Sequence, residues 1–144
     1  MKTIYQVKIM LDADIADAYQ GWLIDHIVGN PEQQILGMLE LKTSEDVPIF
    51  QKAELYRSVS HDNSVGLTVN YSIENEDMMR IYEQVFAPKM RTEVPQKFMG
   101  KFTINRFLFV AKTIGAHHEN VEAFFEQAKD GIVRKEVFFS PFER

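Results

Sequence analysis

A histidine and a tryptophan at helical spacing are the first residues that could carry chemistry. His26 follows Trp22 by four residues, which places both side chains on one side of a helix. Imidazole has the ordinary pKa best suited to proton transfer near neutral pH, so His26 is the candidate catalytic residue. Nothing in the sequence identifies a group that would orient its ring. A hydrogen-bonded histidine of the core or of an interface is therefore the simpler interpretation.

A second set of candidates falls on predicted strands and consists of Tyr56, Arg57, Tyr71 and Arg106. Arginine can bind a carboxylate through two parallel hydrogen bonds, and tyrosine offers an apolar wall with a polar tip. Together with Trp22 and His26, these side chains predict a binding site for a small apolar or aromatic acid. The simpler alternative assigns the tyrosines to core packing and the arginines to surface or intersubunit ion pairs.

Several other kinds of site are not expected. His117-His118-Glu119 could suggest a metal site, but neighbouring side chains on a helix point about 100° apart and no matching second set of ligands follows. The chain has no cysteine, which excludes disulfides, thiolate metal ligands and cysteine nucleophiles. No phosphate-binding glycine loop, nucleophile elbow, zinc-protease pair or calcium loop is present. We therefore expect neither a metal nor a cofactor.

The first two elements are indicated by hydrophobic periodicity. Residues 5–11 alternate between apolar and mostly polar side chains, which is typical of a strand with one buried face. Asp12 or Asp14 is expected to cap the helix that follows. That helix carries one apolar stripe at three- and four-residue spacing, made of Ile15, Tyr19, Trp22, Leu23, His26 and Ile27. We expect this stripe to lie on the sheet.

The middle of the chain predicts a hairpin preceded by irregular structure. Residues 29–31 should end the first helix, and Pro31 fits the start of a second short helix that reaches Leu39. Residues 49–59 are interpreted as a strand. Residues 61–64 are interpreted as a tight turn, and residues 65–73 alternate cleanly between apolar and small polar side chains.

The next elements complete a recognisable order. Asn75 is expected to cap a helix, Pro88 to end or kink it, and residues 102–114 to form a fourth strand. The order β-α-β-β-α-β predicts an α+β, ferredoxin-like fold, with two helices on one face of an antiparallel four-stranded sheet. Because an extended sheet face seldom stays bare, we expect a second copy to cover the other face.

The chain is interpreted as one domain with additions. Residues 1–114 form the ferredoxin-like domain, with an insertion at residues 28–47. Residues 115–144 are expected to form a C-terminal helix, from Val121 to Ala128, and a tail that ends with the apolar residues 137–142. This helix and tail should pack on the same domain or on the dimer partner.

Composition limits the partners and the compartment. The chain of 144 residues has a net charge of −5, and its basic residues are scattered rather than clustered. Nucleic acid and anionic membranes are therefore not expected partners. The amino terminus runs directly into a strand pattern, and no apolar stretch reaches the roughly 18–20 residues needed to cross a bilayer. We expect a cytoplasmic protein.

Several short segments, in their order along the chain, resemble those of a known family. They are Tyr5–Leu11, Trp22–Ile27, Phe50–Arg57, the Val-Asn-Tyr that ends at Tyr71, Ala87–Arg91 and Phe98–Arg106. Over residues 4–114 the chain resembles an uncharacterised domain-of-unknown-function family of the dimeric α+β barrel superfamily. That family usually passes directly from the His-Ile pair to the second strand, without residues 28–47. The resemblance implies a fold and a homodimer, but no reaction.

Three functional hypotheses follow. The first is a dimeric protein that binds a small molecule between the sheet and its helices, or between paired sheets. The second is a cofactor-independent monooxygenase or isomerase of the kind that the superfamily contains, in which His26 moves a proton. The third is a structural or protein-interaction module, in which the apolar tail docks on a partner.

Overall fold

The regular elements are centred on a strand near the amino terminus. The computed structural model describes residues 3–113, 127–129 and 132–139, with side chains described as far as residue 110. The strands are β1 (Thr3–Leu11), β2 (Lys52–Val59), β3 (Val65–Ile73), β4 (Phe102–Thr113), β5 (Gln127–Lys129) and β6 (Ile132–Phe139). The helices are α1 (Ala16–Val28), α2 (Glu76–Ile81) and α3 (Ala87–Met90).

The first four strands have the ferredoxin-like arrangement. Their order across the sheet is β2-β3-β1-β4, and each neighbouring pair is antiparallel. β1 is an interior strand, which pairs with β3 on one side and with β4 on the other. The predicted α+β fold, with an antiparallel four-stranded sheet and two helical segments, is thereby confirmed.

Two further strands extend the sheet beyond β4. β6 pairs with β4 in parallel, and β5 pairs with β6 in antiparallel orientation, so the full order is β2-β3-β1-β4-β6-β5. Residues 137–139 of the predicted tail lie on β6. Of the predicted C-terminal helix, residues 121–126 lie outside the described residues, whereas Ala128 lies on β5. That helix is not confirmed.

The start of α1 differs from the prediction. Asp12 precedes a 3-10 turn at Ala13–Ile15, but its side chain makes no capping hydrogen bond, and α1 itself begins at Ala16. Asp14 instead accepts a hydrogen bond from Lys101 Nζ at 2.9 Å. The predicted carboxylate cap is therefore wrong, because the 3-10 turn displaces both carboxylates from the first turn of the α-helix.

The insertion folds as turns rather than as a second helix. Two 3-10 turns, Pro31–Gln33 and Met38–Glu40, replace the predicted helix. Glu40 Oε1 accepts a hydrogen bond from the Gly37 amide at 2.8 Å, which stabilises the second turn. Met38 is buried, so the insertion contributes to the core. The second strand was predicted over residues 49–59, whereas β2 begins at Lys52.

The helical segment after β3 contains a wide turn. Asn75 caps α2 as predicted, since its side chain accepts a hydrogen bond from the Met78 amide at 3.1 Å. A π-helical turn, Tyr82–Phe86, joins α2 to α3, and Pro88 lies near the start of α3. Proline lacks the amide that would bond to the carbonyl four residues earlier, and a wider turn just before it accommodates that loss.

One face of the sheet carries the core. Along β3 the odd-numbered residues from Val65 to Ile73 are all buried, and they face the helices together with Tyr5 and Ile9 of β1. The opposite face is more polar, and Gln6 Nε2 donates a hydrogen bond to Asn70 Oδ1 across it at 2.9 Å. In the described part of the chain, no helix combines the length and apolarity required to cross a membrane.

Candidate functional site

An arginine occupies the middle of the helix-covered sheet face. On β4 the residues that share this face are Phe102, Ile104, Arg106, Leu108 and Val110. Arg106 lies directly opposite Val7 of β1, and Val7 lies opposite Val69 of β3. A guanidinium therefore stands where the alternation of β4 otherwise places apolar side chains. Arginine in such a position requires hydrogen bonds or a counter-charge, because its charge is partly removed from water.

Helix α1 places an aromatic wall on the same cavity. Tyr19, Trp22 and His26 follow one another at three- and four-residue spacing, so they line one side of the helix. The Trp22 and His26 rings are stacked, with centroids 4.9 Å apart and planes 19° apart. Tyr19 meets Trp22 edge to face at 5.4 Å. The imidazole is thereby held against the indole, on the side of α1 that lines the cavity.

A second arginine reaches the cavity from the segment that follows α3. Arg91 Nη2 donates a hydrogen bond to Glu83 Oε2 at 2.5 Å and lies 3.5 Å from the Tyr5 hydroxyl. Its guanidinium carbon is 6.0 Å from the centroid of the Tyr82 ring, within the range of a cation–π contact. Arg91 Nε is buried and has no hydrogen-bond partner among the described residues.

These side chains surround a cavity of about 40 Å³ between the sheet and the helical layer. A single water needs at least about 10–15 Å³ of such space, so the cavity has room for about three waters or for one carboxylate group. Its principal polar and aromatic lining residues are Tyr5, Tyr19, Trp22, His26, Tyr71, Tyr82, Arg91 and Arg106. Apolar side chains, including Met38 of the insertion, complete the wall.

The environment of the cavity keeps its weakly basic and weakly acidic groups uncharged. Burial, followed by the nearby charge of Arg106, lowers the pKa of His26 from 6.5 to about 4. Burial raises the pKa of Tyr19 to about 12 and also raises the pKa values of Tyr71 and Tyr82. At neutral pH the imidazole and the phenols are therefore neutral, while the arginines remain charged.

The arrangement is suited to binding rather than to strong base catalysis. Guanidinium, imidazole and phenol groups can donate hydrogen bonds to a ligand, and the surrounding rings can pack against its apolar part. A histidine whose pKa lies near 4 is a weak base, which limits its ability to remove a proton from carbon. In the described ranges, no group of three or more potential ligand side chains is arranged to hold a metal ion. The sequence 117–119 lies outside those ranges.

The fold separates the six sequence-predicted site residues into two groups. Trp22, His26, Tyr71 and Arg106 line the cavity together. Tyr56 lies on the opposite face of the sheet and is 53% exposed.

Arg57 is on the helix-covered face but at the edge strand. There its Nη1 atom donates hydrogen bonds to Asp17 Oδ1 at 2.9 Å and Gln20 Oε1 at 2.7 Å. This arginine makes the surface ion pair that the simpler sequence interpretation described.

Four of the polar and aromatic lining residues were not among those predicted, namely Tyr5, Tyr19, Tyr82 and Arg91. The three tyrosines lie at positions that the apolar patterns of their elements predict to be buried. A tyrosine at a buried position brings a hydroxyl group into the core, and this could have indicated a polar cavity. Arg91 has no such signal, because it follows α3 in an irregular segment. Only the tertiary fold brings it to Tyr5.

Comparison with known proteins gives one family and no characterised relative. Neither the curated proteins nor the solved structures contain a match to this chain. Residues 2–111 match the family described as Domain of unknown function (DUF4286), and because this match covers more than half of the 144 residues, the protein belongs to that family.

Proposed function

We propose that this protein binds a small organic molecule in the cavity between the sheet and α1. The observation that carries the proposal is the position of Arg106, a guanidinium on the helix-covered face beside the stacked rings of Trp22 and His26. A core that served stability alone would gain more from an aliphatic side chain at this position. Aromatic walls with a few converging polar groups are typical of ligand sites.

The size of the cavity limits the ligand. Pockets that enclose drug-sized molecules measure about 300–1,000 Å³, whereas this cavity measures about 40 Å³. The ligand is therefore small, or only its polar head enters the cavity as it stands. Met38 lies in the wall, and the three rotatable bonds of methionine allow it to adjust to a larger group.

A thermal-shift screen of the full chain tests the proposal. Small aromatic and aliphatic compounds, each in charged and neutral form, are added at up to millimolar concentration. A ligand at a hundredfold excess over its Kd should stabilise the fold by about 2.7 kcal/mol. Replacing Trp22 with Leu should abolish that shift, whereas replacing the exposed Val85 with Ala should preserve it. Absence of stabilisation by every compound would count against ligand binding.

The active unit in this proposal is a homodimer of the dimeric α+β barrel kind. The sheet face away from the helices carries Phe107 and Phe109, whose ring centroids are 6.2 Å apart, next to polar side chains. β5 and β6 continue the sheet beside β4, so these two strands do not cover that face. A second copy would bury it. The absence of cysteine suits the proposed cytoplasmic location.

An alternative function is a cofactor-independent oxygenase or isomerase in which His26 moves a proton. The favouring observation is a neutral imidazole on the wall of the cavity. An anionic ligand beside it would raise its pKa and so increase its strength as a base. Once a substrate is identified, His26→Gln should reduce kcat by at least about 100-fold. Undiminished turnover would exclude this role.

A further inference from the structure

We infer that the ligand is a small monocarboxylate whose carboxylate is held by Arg106, an inference that rests on the proposed binding function. Three properties of the cavity support this ligand class. They are the ion-pair partners of the two arginines, the net charge of the lining side chains, and the size and shape of the cavity.

The two arginines differ in their partners. Arg91 is paired with Glu83, its Nη2 atom lying 2.5 Å from the carboxylate. Within the part of the chain whose side chains are described, no carboxylate lies within 4 Å of Arg106. Arg106 is thus a cation on the core side of the sheet with no anionic partner among the side chains that the structure describes. An anionic ligand would supply one.

Counted over the side chains described, up to residue 110, the net charge that faces the cavity is one positive charge. β1, β3 and the π-helical turn contribute Tyr5, Tyr71 and Tyr82, and α1 contributes Tyr19 and His26, all neutral at pH 7. The pair of Glu83 and Arg91 cancels to zero. Arg106 on β4 is left uncompensated. A monoanion neutralises the site, whereas a dianion would leave one negative charge in a poorly solvated space.

The geometry of the site favours a carboxylate over bulkier anions. Guanidinium presents two parallel N–H groups that match the two oxygens of a planar carboxylate. The cavity of about 40 Å³ has room for a group of three heavy atoms. The rings of Trp22, Tyr19 and Tyr71 offer an apolar surface to whatever the carboxylate is attached to.

Calorimetric titration of the full chain separates the charge classes. The probes are benzoate and butanoate, their neutral amides, and the dianions phthalate and succinate, at pH 7 and low ionic strength. We expect at least one monocarboxylate to bind about tenfold or more tightly than its amide, since a hydrogen bond between two charged groups is stronger than one to a neutral amide. Phthalate should bind more weakly than benzoate, and succinate more weakly than butanoate.

Two matched arginine variants locate the carboxylate. Arg106→Gln should weaken binding of the monocarboxylate about tenfold or more and remove its preference over the amide. Arg57→Gln is the control, because Arg57 lies on the same sheet face but outside the cavity, where it pairs with Asp17. This control should change the affinity less than about twofold. Arg106→Lys should restore part of the preference for the acid.

The outcomes distinguish this inference from the proposed function. Equal binding of acid and amide, or an Arg106→Gln variant that binds benzoate as well as the original chain, would overturn the inference and leave ligand binding intact. Failure of all acids and amides to bind would overturn both. If Arg106→Gln does not fold, the comparison of acid, amide and dianion on the unaltered chain still decides the charge class.

Discussion

The neutral state of His26 is a consequence of its surroundings that can be measured. Its ring is stacked on Trp22, and burial together with the charge of Arg106 favours the unprotonated form. The charge of Arg106 also links His26 to any bound anion. A carboxylate on Arg106 would offset that positive charge and so raise the pKa of His26. Protonation of His26 would therefore report on folding and on the proposed ligand binding.

The free energy of unfolding should decrease as the pH is lowered, because His26 must then be protonated. Its pKa is lowered from 6.5 in the unfolded chain to about 4 in the folded protein, so the unfolded state binds more protons between these values. The free energy of unfolding should decrease as pH falls from about 6.5 to about 4, by at most about 3 kcal/mol from this residue. Urea denaturation at pH 7 and pH 4.5 measures the difference.

The matched comparison for this effect is His26→Gln. Carboxylates elsewhere in the chain also titrate in this range, but they contribute equally to both proteins. The difference in unfolding free energy between the original chain and the variant should shrink as the pH is lowered. A difference that is independent of pH would show that His26 is not held in its neutral form.

Replacing Arg106 with Met should separate stability from binding. The substitution removes a cation that has no ion-pair partner within the described side chains, and it keeps an unbranched apolar stem, so we expect the ligand-free protein to gain up to about 1–3 kcal/mol of stability. Arg57→Met should stay within about 0.5 kcal/mol, since it breaks an exposed ion pair. Thermal melting measures both variants. A strongly destabilised Arg106→Met would mean that Arg106 serves the fold itself.

At the scale of elements, the insertion contributes to the wall of the cavity and is not an external loop. Met38 reaches the cavity, and its turn is held by a close approach of two backbone segments. A Cβ atom at Gly37 would lie 2.2 Å from the Gly29 nitrogen and 2.4 Å from the Val28 carbonyl carbon. Gly29 itself has a φ of +90°, a region that glycine adopts without strain.

Two glycine substitutions should therefore have opposite effects. Gly37→Ala should destabilise the fold by about 2 kcal/mol or more, because backbone atoms on the opposing segment must move apart. Gly21→Ala, in the exposed interior of α1 with no atom within 4 Å of its Cβ, should stabilise the fold by about 0.5–1 kcal/mol. Chemical denaturation of both variants measures the contrast. Equal effects would mean that the insertion does not pack as described.

At the scale of the whole molecule, the proposed dimer concerns the sheet face opposite the helices. The predicted resemblance to an uncharacterised family is confirmed by the match over residues 2–111, whereas the dimeric α+β barrel stays a prediction. Its test is the mass in solution. Light scattering at micromolar concentration should give twice the 16.7 kDa of the chain.

A charge on the sheet face opposite the helices should disrupt the proposed dimer. Phe109→Glu places a carboxylate at the centre of the proposed interface and should yield a folded monomer or raise the dissociation constant more than about 100-fold. Val85→Glu, on the exposed side of the π-helical turn, should leave the mass unchanged. An unaltered chain that is monomeric and well folded would contradict the proposed dimer.

Local patterns along the chain determined the elements of this protein. The alternation of β1 and β3, the stripe of α1 and the Asn75 cap were all predictable, because each depends on residues within a few positions of one another. The same patterns placed Trp22 and His26 on one side of α1. They failed at Asp12 and in the insertion, where tertiary packing overrides weak local preferences.

The site itself was decided by the tertiary structure. Arg91 and Tyr5 are 86 positions apart, and they meet only because β1 is an interior strand and the segment after α3 returns to it. The same topology puts Arg106 beside His26 and sends Tyr56 to the other face. Sequence alone identifies side chains able to bind an acid. Which of them share a cavity depends on long-range strand pairing, which no local pattern encodes.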